Sequence, residues 1–349
     1  MSKVTASSSH DVTRGSARTP PSAVLGLCLL FISPAPAVAA QQENPAPSSA
    51  PRDLSDLELS RELRLQLEEA VSRHEYKQAE AILVKEAERD PNSVRASKLL
   101  VTAAGVFFLD GQYLNAAIAW KKAEAIAPLD DRSRFTLAMA YIELHHRDWA
   151  RPELEKLASA HPDDPLYLYW LARLDYDARN YASAVSRLEK VVKLDSNMMR
   201  PYDLLGLCFD YLGQFDEAIK NYNRAVELNR QQSRPSPWPH VDLAVSLMAL
   251  NQLPEAEKNL REAIGYGPRL PQAHYQLARV LEMQGEYQTA IESLKEAIAL
   301  DPAYPEPHYL LGRLYHRLGN TPLSKVEVER FKELKKSAAA EPSGKPSSP

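Results

Sequence analysis

Between Pro271 and Tyr304 apolar residues recur with a helical period, stop once, and recur again. Leu277, Ala278 and Leu281 share one helix face, Gly285 interrupts, and Ala290, Ile291, Leu294, Ala297, Ile298 and Leu300 mark one face of a second helix. Asp301-Pro302 closes the unit, because the proline ring disfavours helical backbone at the residue before it. The stretch is 34 residues long, and the pattern returns in the same frame at 60–93, 97–130, 131–164, 165–198, 199–232, 237–270, 271–304 and 305–338. Small residues recur at the eighth position (Ala104, Ala138, Ala172, Gly206, Ala244, Ala278, Gly312) and at the twentieth (Ala116, Ala150, Ala184, Ala218, Ala256, Ala290). Small side chains let two helices cross at axial distances of about 8–10 Å. The seventeenth position is aromatic at Tyr76, Tyr113, Tyr181, Phe215 and Tyr287, rings placed to wedge between helices, and Pro91, Pro128, Pro162, Pro268 and Pro302 end five units. The pattern predicts eight helical hairpins in a row.

A 34-residue helix-turn-helix unit with Leu277-Ala278, Leu281, Gly285, Tyr287, Ala290, Leu294, Ala297 and Pro302 resembles the tetratricopeptide repeat. The resemblance extends over residues 60–338. It implies an all-α, right-handed superhelix, an α-solenoid in which the first helix of each unit lines a concave groove. In that family, groove-lining residues stand at positions two, five, nine, twelve and thirteen. Carried over, these include Phe135 in the third unit, Tyr169, Arg173 and Tyr176 in the fourth, and Asp203, Leu207, Asp210 and Tyr211 in the fifth. They also include Trp238, Val241 and Val245 in the sixth, Tyr275 and Arg279 in the seventh, and Tyr309 and Arg313 in the eighth.

Composition narrows the function. Glycine is scarce, at 12 in 349 residues, and β-branched alternation is absent, which agrees with an all-α chain. The net charge of −4 lacks the basic excess of a nucleic-acid-binding domain. One of the two cysteines, Cys28, lies in the leading segment, so Cys208 has no internal partner after processing and reads as a buried, inert thiol. Residues 1–40 read as a secretory signal peptide: Lys3, Arg14 and Arg18 precede the apolar run 23–32, and Ala37-Val38-Ala39-Ala40 supplies a small-residue cleavage site. An uncleaved membrane anchor is the rival reading of that segment. The expected location is therefore exported, in the periplasm or secreted. Residues 41–59 are rich in Pro and Ser and are expected to be a flexible linker; 339–349 is expected to be a disordered tail.

No catalytic fingerprint survives inspection. His146-Arg147-Asp148 imitates a kinase catalytic loop, but position 153 is Glu where Asn is required, and no Gly-rich loop precedes it. His240, His274 and His308 occupy the fourth position of successive units; at helix spacing they stand too far apart for one metal, whose ligands lie about 2 Å from a common centre. The chain is expected to be no enzyme, with no cofactor and no metal. Three units place Tyr four residues before Arg (Tyr169/Arg173, Tyr275/Arg279, Tyr309/Arg313), each pair on one helix face. Tyrosine brings rigid contact area and arginine a planar fork of donors, side chains suited to protein interfaces. The expected partner is a protein or peptide segment. Binding of an envelope polysaccharide or small molecule, and self-assembly into a homo-oligomer through the terminal units, stay open as alternatives. The family's carboxylate clamp, Lys at position five with Asn at position nine, is absent from all eight units, which argues against a heat-shock cochaperone. An insert, Ser233–Ser236, separates the fifth and sixth units.

Overall fold

The computed structural model describes residues 54–340. The expected signal peptide, most of the linker and the end of the tail lie outside the described residues. Among the described residues sixteen α-helices follow one another as eight antiparallel hairpins. The first four are α1 (Arg61–Ser72) with α2 (Tyr76–Ala87), α3 (Val94–Leu109) with α4 (Tyr113–Glu124), α5 (Asp131–Glu143) with α6 (Arg147–Ala160), and α7 (Pro165–Asp177) with α8 (Tyr181–Leu194). The last four are α9 (Met199–Tyr211) with α10 (Phe215–Asn229), α11 (Trp238–Ala249) with α12 (Leu253–Tyr266), α13 (Pro271–Gln284) with α14 (Tyr287–Leu300), and α15 (Pro305–Arg317) with α16 (Thr321–Ala340). The described residues form an all-α solenoid.

One backbone device makes every hairpin. The fifteenth residue of each unit is left-handed: Gly111, Gly213, Gly285 and Gly319 have φ of +70°, +73°, +86° and +78°, and His74, His145, Arg179 and Asn251 have +61°, +61°, +62° and +58°. The next amide then reaches back five residues, as Gln112 N to Phe107 O, Asn180 N to Asp175 O and Glu286 N to Leu281 O do, each at 2.8 Å. This satisfies a carbonyl that the end of the first helix would leave orphaned. Glycine suits the position, and four units accept a residue with a Cβ there against a local cost.

The alanines of the eighth and twentieth positions are fully buried, from Ala104 and Ala116 through Ala278 and Ala290. In the third, fourth, sixth and seventh units they bring the two helices of the hairpin together and leave room for Leu154, Leu188, Leu260 and Leu294 at the twenty-fourth, all inaccessible to solvent. The fifth unit solves the packing differently. Gly206 faces the fully buried Tyr222, and a Cβ at Gly206 would lie 2.4 Å from the Tyr222 ring.

Three local findings differ from the expectations. The end of the expected linker is folded: a 3-10 turn at Leu54–Leu57 delivers Leu57 and Leu59 into the core beside Leu67, Leu83 and Leu99, because these leucines cover an end of the first hairpin that water would otherwise reach. α3 begins at Val94, three residues ahead of its 34-residue frame, where the Ser93 hydroxyl accepts from Ala96 N at 3.0 Å and caps it. α16 continues to Ala340, two residues into the expected tail.

The insert is stapled. Fully buried Asn229 donates from Nδ2 to Ser236 O and accepts at Oδ1 from Ser236 N, both at 2.8 Å. Arg230 then grips Glu262 of α12 through two bonds of 2.8 and 2.7 Å, and Tyr266 donates to the same carboxylate at 3.0 Å. The Arg230 bond, ahead of the modest opposing effect of burial, holds the Glu262 carboxyl down to about 2. Among the described residues no helix is long and apolar enough to cross a membrane.

Candidate functional site: the face lined by the first helices

First helices of neighbouring hairpins touch directly: α3 meets α5, α7 meets α9, α9 meets α11, and α11 meets α13. They line one continuous face, and the expected groove residues fall on these helices. The structure divides those residues into two stretches and sets two of them apart.

The first stretch spans α7, α9 and α11. Tyr169 is buried against Trp170, with ring centroids 5.8 Å apart. Arg173, one turn on, lies with its guanidinium 5.9 Å from the Tyr176 ring and pairs with Asp177 at 3.4 Å. Tyr176, Tyr181 and Tyr211 form a three-ring cluster, with Tyr181 and Tyr211 stacked at 4.6 Å and 6°. Tyr181 is the seventeenth residue of its unit, so the wedge ring joins α8 to the next hairpin. Burial, reinforced by Tyr211, raises the Tyr176 phenol far above its usual range, so it stays a neutral donor.

Beside this cluster sits a group of carboxylates. Asp210 of α9 is buried and accepts from Ser246 Oγ of α11 at 2.8 Å and from the Tyr222 hydroxyl of α10 at 3.0 Å. Burial outweighs those two bonds and pushes Asp210 up to about 6. Half-buried Asp203 is pushed up to about 7 by desolvation, against the pull of Arg173 and Arg200. Its Oδ1 is fully buried and takes no hydrogen bond from the protein. Asp242 of α11, also half-buried, is raised well above the usual carboxylate value by desolvation and then by repulsion from Asp203 and Asp210.

Other junctions treat buried acids differently. Asp175 is paired with Arg151 at 2.9 Å and Arg187 at 2.8 Å; Glu86 is paired with Arg95 at 2.9 Å and Arg89 at 3.0 Å. Arg134 bridges Glu153 and Glu124. At the α9–α11 junction Asp203 and Asp210 instead lie near enough to Asp242 to repel it, while Arg173 and Arg200 act on Asp203.

The second stretch spans α13 and α15. Tyr275 packs edge-on against Tyr304 at 5.4 Å, and Arg279 donates to Gln276 at 2.7 Å. Tyr309 is half exposed, with its ring 5.2 Å from Phe331 of α16. Arg313 is held by Glu282 of α13, and that bond raises its basicity further. Here the arginine fork is already engaged within the solenoid.

The two remaining residues stand apart. Phe135 is buried between Tyr167 and Trp170 of the next unit, at 5.7 and 6.5 Å, and offers little open surface. Half-buried Trp238 opens α11, its backbone amide directed at Ser236 Oγ at 3.4 Å. The histidines pack singly: His240 lies 5.4 Å from the Tyr266 ring and 3.1 Å from Asn259 Oδ1, His308 Nδ1 meets Glu327 at 2.7 Å, and His274 meets Pro268 O at 3.1 Å. Cys208 is fully buried, and burial pushes its thiol up to about 12, which keeps it protonated and unreactive.

Sequence reasoning missed Asp242. It stands at the sixth position, outside the family's groove pattern, and only the contact of α11 with α9 brings it to Asp203 and Asp210. Three aspartates on two successive first helices, Asp203 and Asp210 on α9 and Asp242 on α11, were the signal available.

Residues 283–319 match a family model described as TPR repeat, and residues 148–225 match one described as anaphase-promoting complex, cyclosome, subunit 3. Among solved structures the chain is similar to a tetratricopeptide repeat protein from Parabacteroides merdae, at 16% identity over 78% of this chain and 99% of that one, with a TM-score of 0.57. It is similar to PilW, described as a widely conserved type IV pilus biogenesis factor, at 16% identity over 60% and 94% of the two chains, with a TM-score of 0.54. A third likeness is to the APC/C hetero-tetramer Cut9–Hcn1, at 15% identity over 72% and 55%, with a TM-score of 0.54. No curated protein matches in sequence. With eight helical hairpins on a 34-residue period and these likenesses, the described residues have the fold of a tetratricopeptide repeat solenoid, and residues 283–319 match that repeat itself.

Proposed function

We propose that this chain is a non-catalytic interaction scaffold that captures an extended peptide or partner segment along the face lined by its first helices. The observation that carries the reading is the first stretch: Arg173, Tyr176 and Tyr211 stand together on adjacent helices, each only partly buried, beside the half-buried acids Asp203 and Asp242. Rigid rings with charged neighbours on a preformed concave surface suit a bound segment, because little side-chain freedom remains to be lost on binding. The groove is preformed because each first helix from α3 on is fixed by its own hairpin partner and by the second helix of the preceding unit.

The basic start, the apolar run 23–32 and the small-residue site at 37–40 support an exported chain working in the periplasm or outside the cell. A role in assembling an envelope or secretion complex fits that setting, and the likeness to PilW is one of fold. The test is capture from an envelope extract with the full chain, run beside an Arg173→Ala/Tyr176→Ala/Tyr211→Ala variant of equal helicity. Proteins held by the wild type and lost from the variant support the reading. Identical capture by both contradicts it.

A further inference from the structure

We propose that the groove at the α9–α11 junction is a socket for a cationic side chain, arginine or lysine, of the bound segment. This rests on the interaction-scaffold reading and names the chemistry of its partner. Two half-buried carboxylates on adjacent first helices, Asp203 and Asp242, lie close enough to repel each other. Asp203 Oδ1 is buried with no protein donor directed at it. Among the described residues, the charged groups that act on Asp242 are Asp203 and Asp210, both acids.

In a folded protein a carboxylate withdrawn from water is ordinarily paired, because the loss of hydration is otherwise uncompensated. Other junctions follow that rule with Asp175 and Glu86. Here two acids remain partly open on the groove face, with the Tyr176 ring alongside as a flat wall. A guanidinium or ammonium entering from the groove completes the pair and satisfies the orphan oxygen. Arg173 of α7 and Arg200, one turn earlier on α9, act on Asp203, which leaves the α11 side, toward Asp242, as the place for the incoming charge.

The experiment is a positional-scanning library of nine-residue peptides, screened against the full chain and against Asp203→Asn and Asp242→Asn variants. Asp175→Asn serves as a control that removes a carboxylate already held by arginines. Both socket substitutions are isosteric and remove a repulsion, so folding is retained; circular dichroism confirms it. The expected result is one peptide position enriched at least fivefold in Arg or Lys for the wild type and the control, and unenriched for either socket variant. Peptide binding without a cationic preference, or a preference that survives both socket substitutions, overturns the socket and leaves the scaffold reading standing. Absence of binding by any peptide overturns both.

Discussion

Replacing Gly206 by alanine tests the packing and the site together. The added Cβ would meet the Tyr222 ring at 2.4 to 2.6 Å, well inside van der Waals contact, and Tyr222 is fully buried with no free volume to enter. Overpacking of this kind costs about 1–3 kcal/mol. If the ring swings aside, the bond from its hydroxyl to Asp210 is lost, and a hydrogen bond to a charged group is worth about 1.5–3 kcal/mol. We expect a total near 2–4 kcal/mol. For a domain of this size that is a fall in Tm of roughly 5–10 °C. The third, fourth, sixth and seventh units already combine alanine at the eighth position with a buried leucine at the twenty-fourth, such as Ala172 with Leu188. Gly206→Ala/Tyr222→Leu therefore restores a pairing that the fold accepts. The assay is thermal and urea denaturation of the wild type, both single variants and the double. The double variant should be more stable than the sum of the single effects requires, by about 1 kcal/mol or more. Additive effects, or an unchanged Tm for Gly206→Ala alone, would refute the claim that these two positions set the spacing of α9 and α10.

The remaining predictions concern the turns, the acids and the insert. Arg179→Gly and His145→Gly relieve left-handed backbone at a residue with a Cβ, and each should raise Tm by a few degrees at most, since the gain of about 1 kcal/mol is offset in part by the freer unfolded chain. Asp203, with a folded value near 7 against a usual 3.8, binds its proton more tightly in the folded state; its stabilising contribution is complete below about pH 4 and lost as pH rises through 7. At about 1.4 kcal/mol per tenfold this has a ceiling near 4 kcal/mol; exposure to water in the groove lowers the expectation to about 1–2 kcal/mol. Asp203→Asn should thus raise Tm at pH 8 and leave it almost unchanged at pH 4, and a lower Tm at pH 8 would contradict this. Asn229→Ala removes both bonds to Ser236 and should cost about 2–3 kcal/mol, with faster hydrogen exchange at 233–237; unchanged exchange there would show that the insert is held by other contacts.

Much of the architecture was legible because a solenoid repeats its own evidence. Alanine at two positions of the 34-residue frame marks the helix crossing, and each of those alanines is buried. The left-handed turn was less legible: glycine announces it in four units and Asn251 hints at it in a fifth, whereas His74, His145 and Arg179 are much weaker signs of positive φ. Leu57 and Leu59 were hidden by their Pro- and Ser-rich neighbours, since composition over a window outweighs two leucines that find a core only in three dimensions. At the site, position within the repeat placed residues on the right helices but said nothing of what each would meet. Arg313 reads as an open fork in sequence, and Glu282 on the preceding first helix occupies it. Asp242 falls outside the groove positions of the repeat, and the approach of α11 to α9 sets it against two others. Both depend on contacts between units, which no single unit encodes.

The central claim, that the first-helix face receives a partner, is tested most directly by photocrosslinking in living cells. A benzophenone amino acid is placed in the full chain at Leu207 or Val245, half-buried on α9 and α11, and for comparison at Lys190, exposed on α8. The account expects a discrete adduct from Leu207 and Val245, absent from Lys190 and diminished when Asp242→Asn is added. Adducts from Lys190 alone would place the partner on the opposite face and contradict the account.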